Sequence, residues 1–351
     1  MSHIAKPAAR HPGQPVNKLG FSERDYEGGM STLCAGCGHD SITAALVKAF
    51  FELDIEPHRV AKLSGIGCSS KTPAYFLSAS HGFNSVHGRM PSVVTGANAA
   101  ERSMAYVGVS GDGDSLSIGI GQFAHAVRRN LNMLYIIENN GVYGLTKGQF
   151  SASADLGSKP KKGAPNQLSP IDPVNMAISM GASFVARSFS GDKDQLVPLI
   201  KAGIRHDGFA LIDVISPCVT FNDHDGSTKS YQYTRDNIVE TIHTDFVPPR
   251  QEITVDFASG EVTSVRLHDG SHMLLKKVDK AYNADDRAAA ISYIQHHQAE
   301  GRVVTGLLYF DGAEPEFHQV SGTCQEPLRD LPHNELCPGS EALAKLMKGY
   351  R

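Results

Sequence analysis

Two loops carry the chemistry most legible in the chain. The run Val107-Gly108-Val109-Ser110-Gly111-Asp112-Gly113-Asp114 sets two carboxylates and two glycines at the end of an apolar stretch. Glu138-Asn139-Asn140-Gly141-Val142-Tyr143-Gly144 sets two amides at the end of the next. A dinucleotide fingerprint is the first thought, but the third glycine is missing, and Asp112 and Asp114 would repel a bare pyrophosphate held on backbone N–H groups. The acids make sense if a cation intervenes. A carboxylate oxygen, an amide oxygen and a backbone carbonyl are hard ligands suited to octahedral Mg²⁺, which keeps its other positions for water and substrate phosphates. Either loop alone reads equally well as a tight turn; at this spacing, on consecutive strands, a metal and diphosphate site is the better reading.

The cysteines form a second constellation. Cys34-Ala-Gly-Cys37 is a Cys-x₂-Cys pair, Cys68 follows a short apolar run, and Cys218 follows Pro217 at the end of another. Four thiolates on loops that a parallel sheet gathers at one edge would bind zinc or a [4Fe–4S] cluster. The lack of a second short Cys-x₂-Cys or His pair shifts the balance toward the cluster. Cys324 and Cys337 stand apart and read as ordinary thiols.

Positioning these loops requires alternating strands and helices. Apolar runs at 59–63, 105–109, 133–137, 184–186 and 209–215 read as strands. Amphipathic stretches at 41–53, 118–129, 173–180 and 195–206 read as helices. This alternation is the signature of βαβ units around a parallel sheet, hence an α/β fold with helices on both faces. Beyond residue 217 the character changes. Residues 253–278 alternate apolar and polar side chains around Ser259-Gly260 and Asp269-Gly270, as a small β-meander does. Residues 285–299 read as helix, 303–310 as extended chain and 339–348 as helix again. The expected organisation is a loose amino-terminal arm at 1–20, an α/β domain at 21–235 and a small β-rich α+β appendage at 236–351.

Composition excludes several classes. With 41% hydrophobic and 20% charged residues, the chain is an ordinary folded protein rather than a disordered or coiled-coil one. A net charge of −4, spread along the sequence, leaves no basic stripe for nucleic acid or an anionic membrane. No stretch nears the roughly 18 apolar residues of a membrane span, and residues 1–20 lack an apolar signal core. The expectation is a cytoplasmic protein with neither nucleic-acid nor membrane partner.

Gly-Asp-Gly followed some way on by Asn-Asn resembles the signature of thiamine diphosphate enzymes. Further motifs occur in one order: Cys34-x₂-Cys37-Gly-His39, Gly65-Ile66-Gly67-Cys68-Ser69, His87-Gly88-Arg89, Gly111-Asp112-Gly113-Asp114, and Asn140-x-Val142-Tyr143-Gly144-Leu145-Thr146-Lys147-Gly148-Gln149. In that order they resemble the β subunit of 2-oxoacid:ferredoxin oxidoreductases over residues 20–235. In the appendage, Phe246-Val-Pro-Pro-Arg250 and Cys337-Pro-Gly-Ser-Glu341 resemble the 2-oxoglutarate-specific branch. One departure is Asn139-Asn140-Gly141, where many relatives have Asp-Asn-Arg; it leaves Asn140 untouched.

The resemblance implies a thiamine diphosphate-binding fold. It implies Mg²⁺ held by the side chains of Asp112 and Asn140 and the carbonyl of Val142, and a [4Fe–4S] cluster on Cys34, Cys37, Cys68 and Cys218. Ile66, Gly67, Cys68, Ser69, His87, Gly113, Asp114, Gly144 and Leu145 would contact the cofactor, with Cys68 and His87 as catalytic candidates. Lys147 is a third candidate on its position alone: following the cofactor loop closely, it reads either as a contact to a substrate carboxylate or, equally well, as a solvated lysine. It further implies oxidation of 2-oxoglutarate with coenzyme A to succinyl-CoA and CO₂, with electrons passing to ferredoxin. In the thiamine diphosphate family the pyrimidine-binding domain is separate, so a larger α subunit in an α₂β₂ assembly is implied.

Rival readings differ in what they ask of the cysteines. A non-oxidative thiamine diphosphate decarboxylase or synthase leaves the four without a task, and a structural zinc-binding interaction protein has no use for the Asp112 loop. Pyruvate or another 2-oxoacid is the alternative substrate. His39 reads as the start of a helix rather than a fifth cluster ligand, His296-His297 as a solvated face and Asp223-His224-Asp225 as a polar loop.

Overall fold

A computed structural model describes residues 13–159, 163–247, 262–266, 271–279, 282–337 and 339–350. An eight-stranded sheet runs through it. In chain order its strands are β1 (Val60–Ser64), β2 (His81–Asn84), β3 (Ala105–Gly111), β4 (Met133–Asn139), then β7 (Phe184–Phe189), β8 (Phe209–Ile215), β9 (Ile238–Glu240) and β13 (Val303–Phe310). A two-stranded ribbon of β5 (Val142–Tyr143) and β6 (Gln149–Phe150) and a small sheet of β10 (Ile242–Val247), β11 (Val262–Arg266) and β12 (His272–Lys277) complete the strands. The order across the large sheet is β2-β1-β3-β4-β8-β7-β13-β9. Every pair is parallel except β7 with β13.

The helices follow from how such strands connect. The principal helices are α1 (Gly38–Glu52), α2 (Met90–Ala100), α3 (Ile120–Arg128), α4 (Pro173–Met180), α5 (Lys193–Arg205), α6 (Tyr231–Asn237) and α7 (Arg287–Ala299). From β1 to β3 to β4 to β7 the chain advances in one direction, and right-handed crossovers keep α2, α3 and α4 on one face, where α7 packs against α4. The step from β7 back to β8 reverses direction and carries α5 to the other face, against α1. With both faces covered, β1, β4 and β8 are buried along their whole length, so they read as continuous apolar runs. Local signals agree: Asp172 caps α4 by accepting from the Val174 and Asn175 amides at 2.8 and 3.0 Å, Pro173 takes the first helical position, and Gly181 ends the helix at φ +89°.

The carboxy-terminal region does not stand apart from this sheet. β13 pairs with β7 and buries Val304, Leu307 and Leu308, covering an edge that would otherwise offer unpaired N–H and C=O groups. The expected meander begins earlier, at Ile242, and its order is β10-β12-β11, with the last strand in the middle. The two turns on which it was read, and residues 248–250 of the Phe246 motif, lie outside the described residues. Among the described residues no helix is long and apolar enough to cross a membrane.

Candidate functional site

Register brings the two loops together. Gly111 at the end of β3 sits opposite Glu138 near the end of β4, so Asp112 and Asn140 leave the sheet side by side. Ser64 on β1 faces Val109 on β3 and Asn84 on β2, which brings Gly65 and Ile66, and the segment carrying His87, to the same edge. In an open α/β sheet, the space outside the carboxyl ends of the strands is where ligands bind.

One cavity occupies that edge. It is lined by Ile66, Gly67, Cys68, Ser69, His87, Asp112, Gly113, Asp114, Asn140, Val142, Gly144 and Leu145, which are all the residues expected to hold the cofactor and Mg²⁺, together with Gly111, Tyr143 and Thr146. Lys147 is not among them. It is exposed, in a turn closed by the Gly148 N–H on the Tyr143 carbonyl, and its φ of +79° is left-handed.

Asp112 is buried and asymmetric in its bonding. Its Oδ2 accepts from the Gly141 amide at 3.0 Å, from Ser153 Oγ at 2.6 Å and from Ser151 Oγ. Its Oδ1 meets only the Asn140 amide, at 3.4 Å. One oxygen is saturated, and the other could take a further ligand such as a cation. Asn140 Oδ1 accepts from the Val142 N–H at 3.0 Å, and its carbonyl from Asn222 Nδ2 at 2.8 Å. Gly113 has no room for a side chain, because a Cβ would lie 2.6 Å from the Tyr143 ring.

A second cavity of about 200 Å³ adjoins the first and is lined by Cys34, Cys37, Cys68 and Cys218. The two cavities share Cys68, Asn140, Gly144 and Leu145. Four thiols around one cavity could hold a metal centre. Burial pushes the Cys37 thiol up to about 12 and raises Cys68 and Cys218 as well, so loading would release their protons. Cys324 and Cys337 are exposed and line neither cavity.

His39, on the wall of the second cavity, forms a buried pair with Glu138. Burial lowers His39 to about 4, leaving a neutral ring whose Nδ1 meets Ser216 Oγ at 2.6 Å and whose Nε2 meets Ser69 Oγ at 3.2 Å and Asn140 Nδ2 at 3.5 Å. Glu138 lies 3.4 Å from Nδ1, accepts from Thr72 Oγ1 at 3.0 and 3.1 Å, and is raised well above the usual carboxylate range by burial. His39 thus joins the two loops at the start of α1, in line with the structural reading.

Sequence reasoning missed Ser151 and Ser153. They lie in the turn just after β6, which the Ala154 N–H closes on the Ser151 carbonyl at 3.2 Å, and no sequence motif marks them. The polar loop at 223–225 is as expected: Asp223 caps Tyr231 N–H at 2.9 Å, and His224 bonds the neighbouring carbonyl. His296 is solvated, whereas His297 is mostly covered and packs 4.3 Å from the Tyr293 ring centroid.

Residues 65–214 match the family model of the thiamine pyrophosphate enzyme C-terminal TPP-binding domain. The chain is 44% identical over 191 residues to the 2-oxoacid:ferredoxin oxidoreductase subunit beta of Saccharolobus solfataricus, a match spanning 54% of this chain and 63% of that one, less than two thirds of the relative. It is 39% identical over 189 residues to the 2-oxoglutarate synthase subunit KorB of Methanocaldococcus jannaschii, covering 54% of this chain and 69% of that one. A solved structure, 2-oxoglutarate:ferredoxin oxidoreductase from Magnetococcus marinus with 2-oxoglutarate, coenzyme A and succinyl-CoA bound, superposes with a TM-score of 0.69 at 29% identity, over 90% of this chain and 94% of that one. The chain belongs to the β-subunit family of 2-oxoacid:ferredoxin oxidoreductases.

Proposed function

We propose that this chain is the cofactor-binding subunit of a cytoplasmic enzyme that oxidises 2-oxoglutarate with coenzyme A, giving succinyl-CoA and CO₂ and reducing ferredoxin. The observation that carries the reading is the sharing of Cys68, Asn140, Gly144 and Leu145 between the two cavities. A redox centre so near a carbon-chemistry centre has a use in an oxidative decarboxylase and none in a non-oxidative one. The names of the Methanocaldococcus relative and the Magnetococcus structure favour 2-oxoglutarate.

Asp112 Oδ1, Asn140 Oδ1 and the Val142 carbonyl would hold Mg²⁺, and Cys34, Cys37, Cys68 and Cys218 a [4Fe–4S] cluster. Bound thiamine diphosphate supplies an electron sink for decarboxylation of the 2-oxoacid, and the cluster a one-electron exit. The chain's own contribution is orientation. Ser151, Ser153 and the Gly141 amide hold Asp112 so that one oxygen faces the metal, and Asn222 holds the Asn140 backbone. Exposed Ile66, Val86, Ile118 and Leu145 lie on or beside the cavity wall. They suit an α subunit that completes the site in an α₂β₂ assembly.

The test is anaerobic purification of the co-expressed subunits, with iron and acid-labile sulfide analysis and viologen reduction on 2-oxoglutarate and pyruvate in the presence of coenzyme A. The reading expects a brown complex that prefers 2-oxoglutarate and loses iron in Cys218→Ser but not in Cys324→Ser. A colourless complex that still decarboxylates overturns it, zinc alone favours a structural metal site, and equal rates on both acids remove the substrate assignment.

A further inference from the structure

A third cavity lies farther along the same sheet edge, at the carboxyl ends of β4 and β8, where Asn139 and Ile215 are the last strand residues. Its volume is about 250 Å³, and it shares no lining residue with the cofactor cavity or the cysteine cavity. Neither thiamine diphosphate nor a cluster gives it a task. Part of its wall is apolar, made by Pro170, Ile171, Pro173, Ile215 and Val303. The rest carries both signs of charge, with Arg187, Lys229 and Arg302 set against Asp155, Asp172 and Asp213. The six charges cancel, so the wall has no net attraction for a plain anion or a plain cation.

The hydrogen bonds of these groups are unevenly spent. Lys229 Nζ meets Asp155 Oδ1 at 3.2 Å, and Asp172 takes donors from the Val174 and Asn175 amides, Arg187 and Gln298. Arg187 and Asp213 are spent only in part, although they are 5% and 0% exposed. Arg187 gives Nε to Asp213 Oδ2 and Nη2 to Asp172 Oδ1, and its Nη1 has no partner among the described residues. Asp213 has one donor on each oxygen, Arg187 Nε on Oδ2 and Asn139 Nδ2 on Oδ1 at 3.0 Å, so each oxygen keeps room for another. A buried donor and a buried acceptor thus stand side by side with bonds still to make, a costly arrangement unless something makes them.

We propose that this cavity is a further small-molecule site, for an α-amino acid with an apolar side chain. The carboxylate of the ligand pairs with Arg187 Nη1, its ammonium with Asp213, and its side chain lies along the Ile171 and Val303 wall. A zwitterion brings both an acceptor and a donor and leaves the charge balance of the wall as it was. An acid without the ammonium adds an unmatched negative charge near Asp172 and Asp213, and an amine without the carboxylate leaves Arg187 Nη1 unpaired. An apolar cleft with a few placed polar groups is the usual form of such a site. The inference goes beyond the proposed function and stands without it.

The test is titration calorimetry on the full chain purified with its partner subunit, using L-leucine, glycine, 4-methylpentanoate and 3-methylbutylamine. L-Leucine binds once per chain. The other three, which lack the side chain, the ammonium or the carboxylate, bind at least about tenfold more weakly. Saturating thiamine diphosphate, Mg²⁺ and 2-oxoglutarate leave the leucine affinity unchanged, because their site is elsewhere. Asp213→Asn and Ile171→Asp each lower the leucine affinity by about tenfold or more. If Asp213→Asn does not fold, Ile171→Asp carries the test, since Ile171 is only half-buried and its bond to the Ala152 carbonyl at 2.8 Å comes from the backbone. No binding of L-leucine at millimolar concentration overturns the proposal and leaves the cavity to water. An analogue that binds as tightly as leucine overturns it too, as does leucine displaced by thiamine diphosphate or 2-oxoglutarate, or bound unchanged by either variant.

Discussion

Replacing Glu138 by Gln should change how the fold responds to pH. Glu138 is fully buried; Thr72 and Ser69 donate hydrogen bonds to it, and its nearest basic group, His39, is held neutral by its own burial. Burial therefore dominates and raises the carboxyl well above its ordinary 4.5. Between those two values the folded state keeps a proton that the unfolded state releases. The contribution is whole at low pH and is lost as pH rises, at up to about 1.4 kcal/mol per unit. Glutamine cannot ionise but keeps an oxygen for Thr72, so it removes this slope. From pH 5 to pH 7 the variant should gain on the parent by up to about 3 kcal/mol. The chain has no Trp, so urea denaturation of the metal-free protein followed by far-ultraviolet circular dichroism is the assay. Parallel stability curves for parent and variant across that range would refute the reasoning.

Arg187 donates to Asp213 Oδ2 and Asp172 Oδ1, each at 2.8 Å, inside the fold. Arg187→Ala leaves the buried Asp213 and the half-buried Asp172 without their cation and should cost about 3–5 kcal/mol in urea denaturation; a loss under about 1 kcal/mol would show that water replaces the guanidinium. Lys147 holds a left-handed backbone without being glycine, so Lys147→Gly should stabilise by about 1 kcal/mol in thermal melts. The same variant tests the substrate contact expected of the ammonium group: an unchanged KM for the 2-oxoacid removes Lys147 from the site.

The strands most easily read in the sequence are those buried on both faces. β1, β4 and β8 need only a continuous apolar run, which Met133–Asn139 and Phe209–Ile215 supply. β2 escaped because His81–Asn84 is exposed along its length and offers no such run. α2 escaped because Met90–Ala100 mixes Pro, Gly, Thr and small residues without a clear stripe. Asp112 and Asn140 were legible because a parallel sheet must bring consecutive strand ends together. The use of Asp114 was not: it depends on two turns, at Ile66 and at Gly88, folding back onto a single carboxylate. Likewise, nothing local in the sequence links Ser151 and Ser153 to Asp112.

The position of β13 has a consequence for the order in which the protein is made. Every side chain of β7 is buried in the finished fold, yet the partner on its open edge is not synthesised until the ribosome has passed Val303. Until then, a nascent chain that already carries both cavities exposes an apolar strand edge, the kind of surface that recruits chaperones or other chains. β13 therefore acts as a built-in closing strand, and the thiamine diphosphate domain becomes safe to release only once that strand has been made.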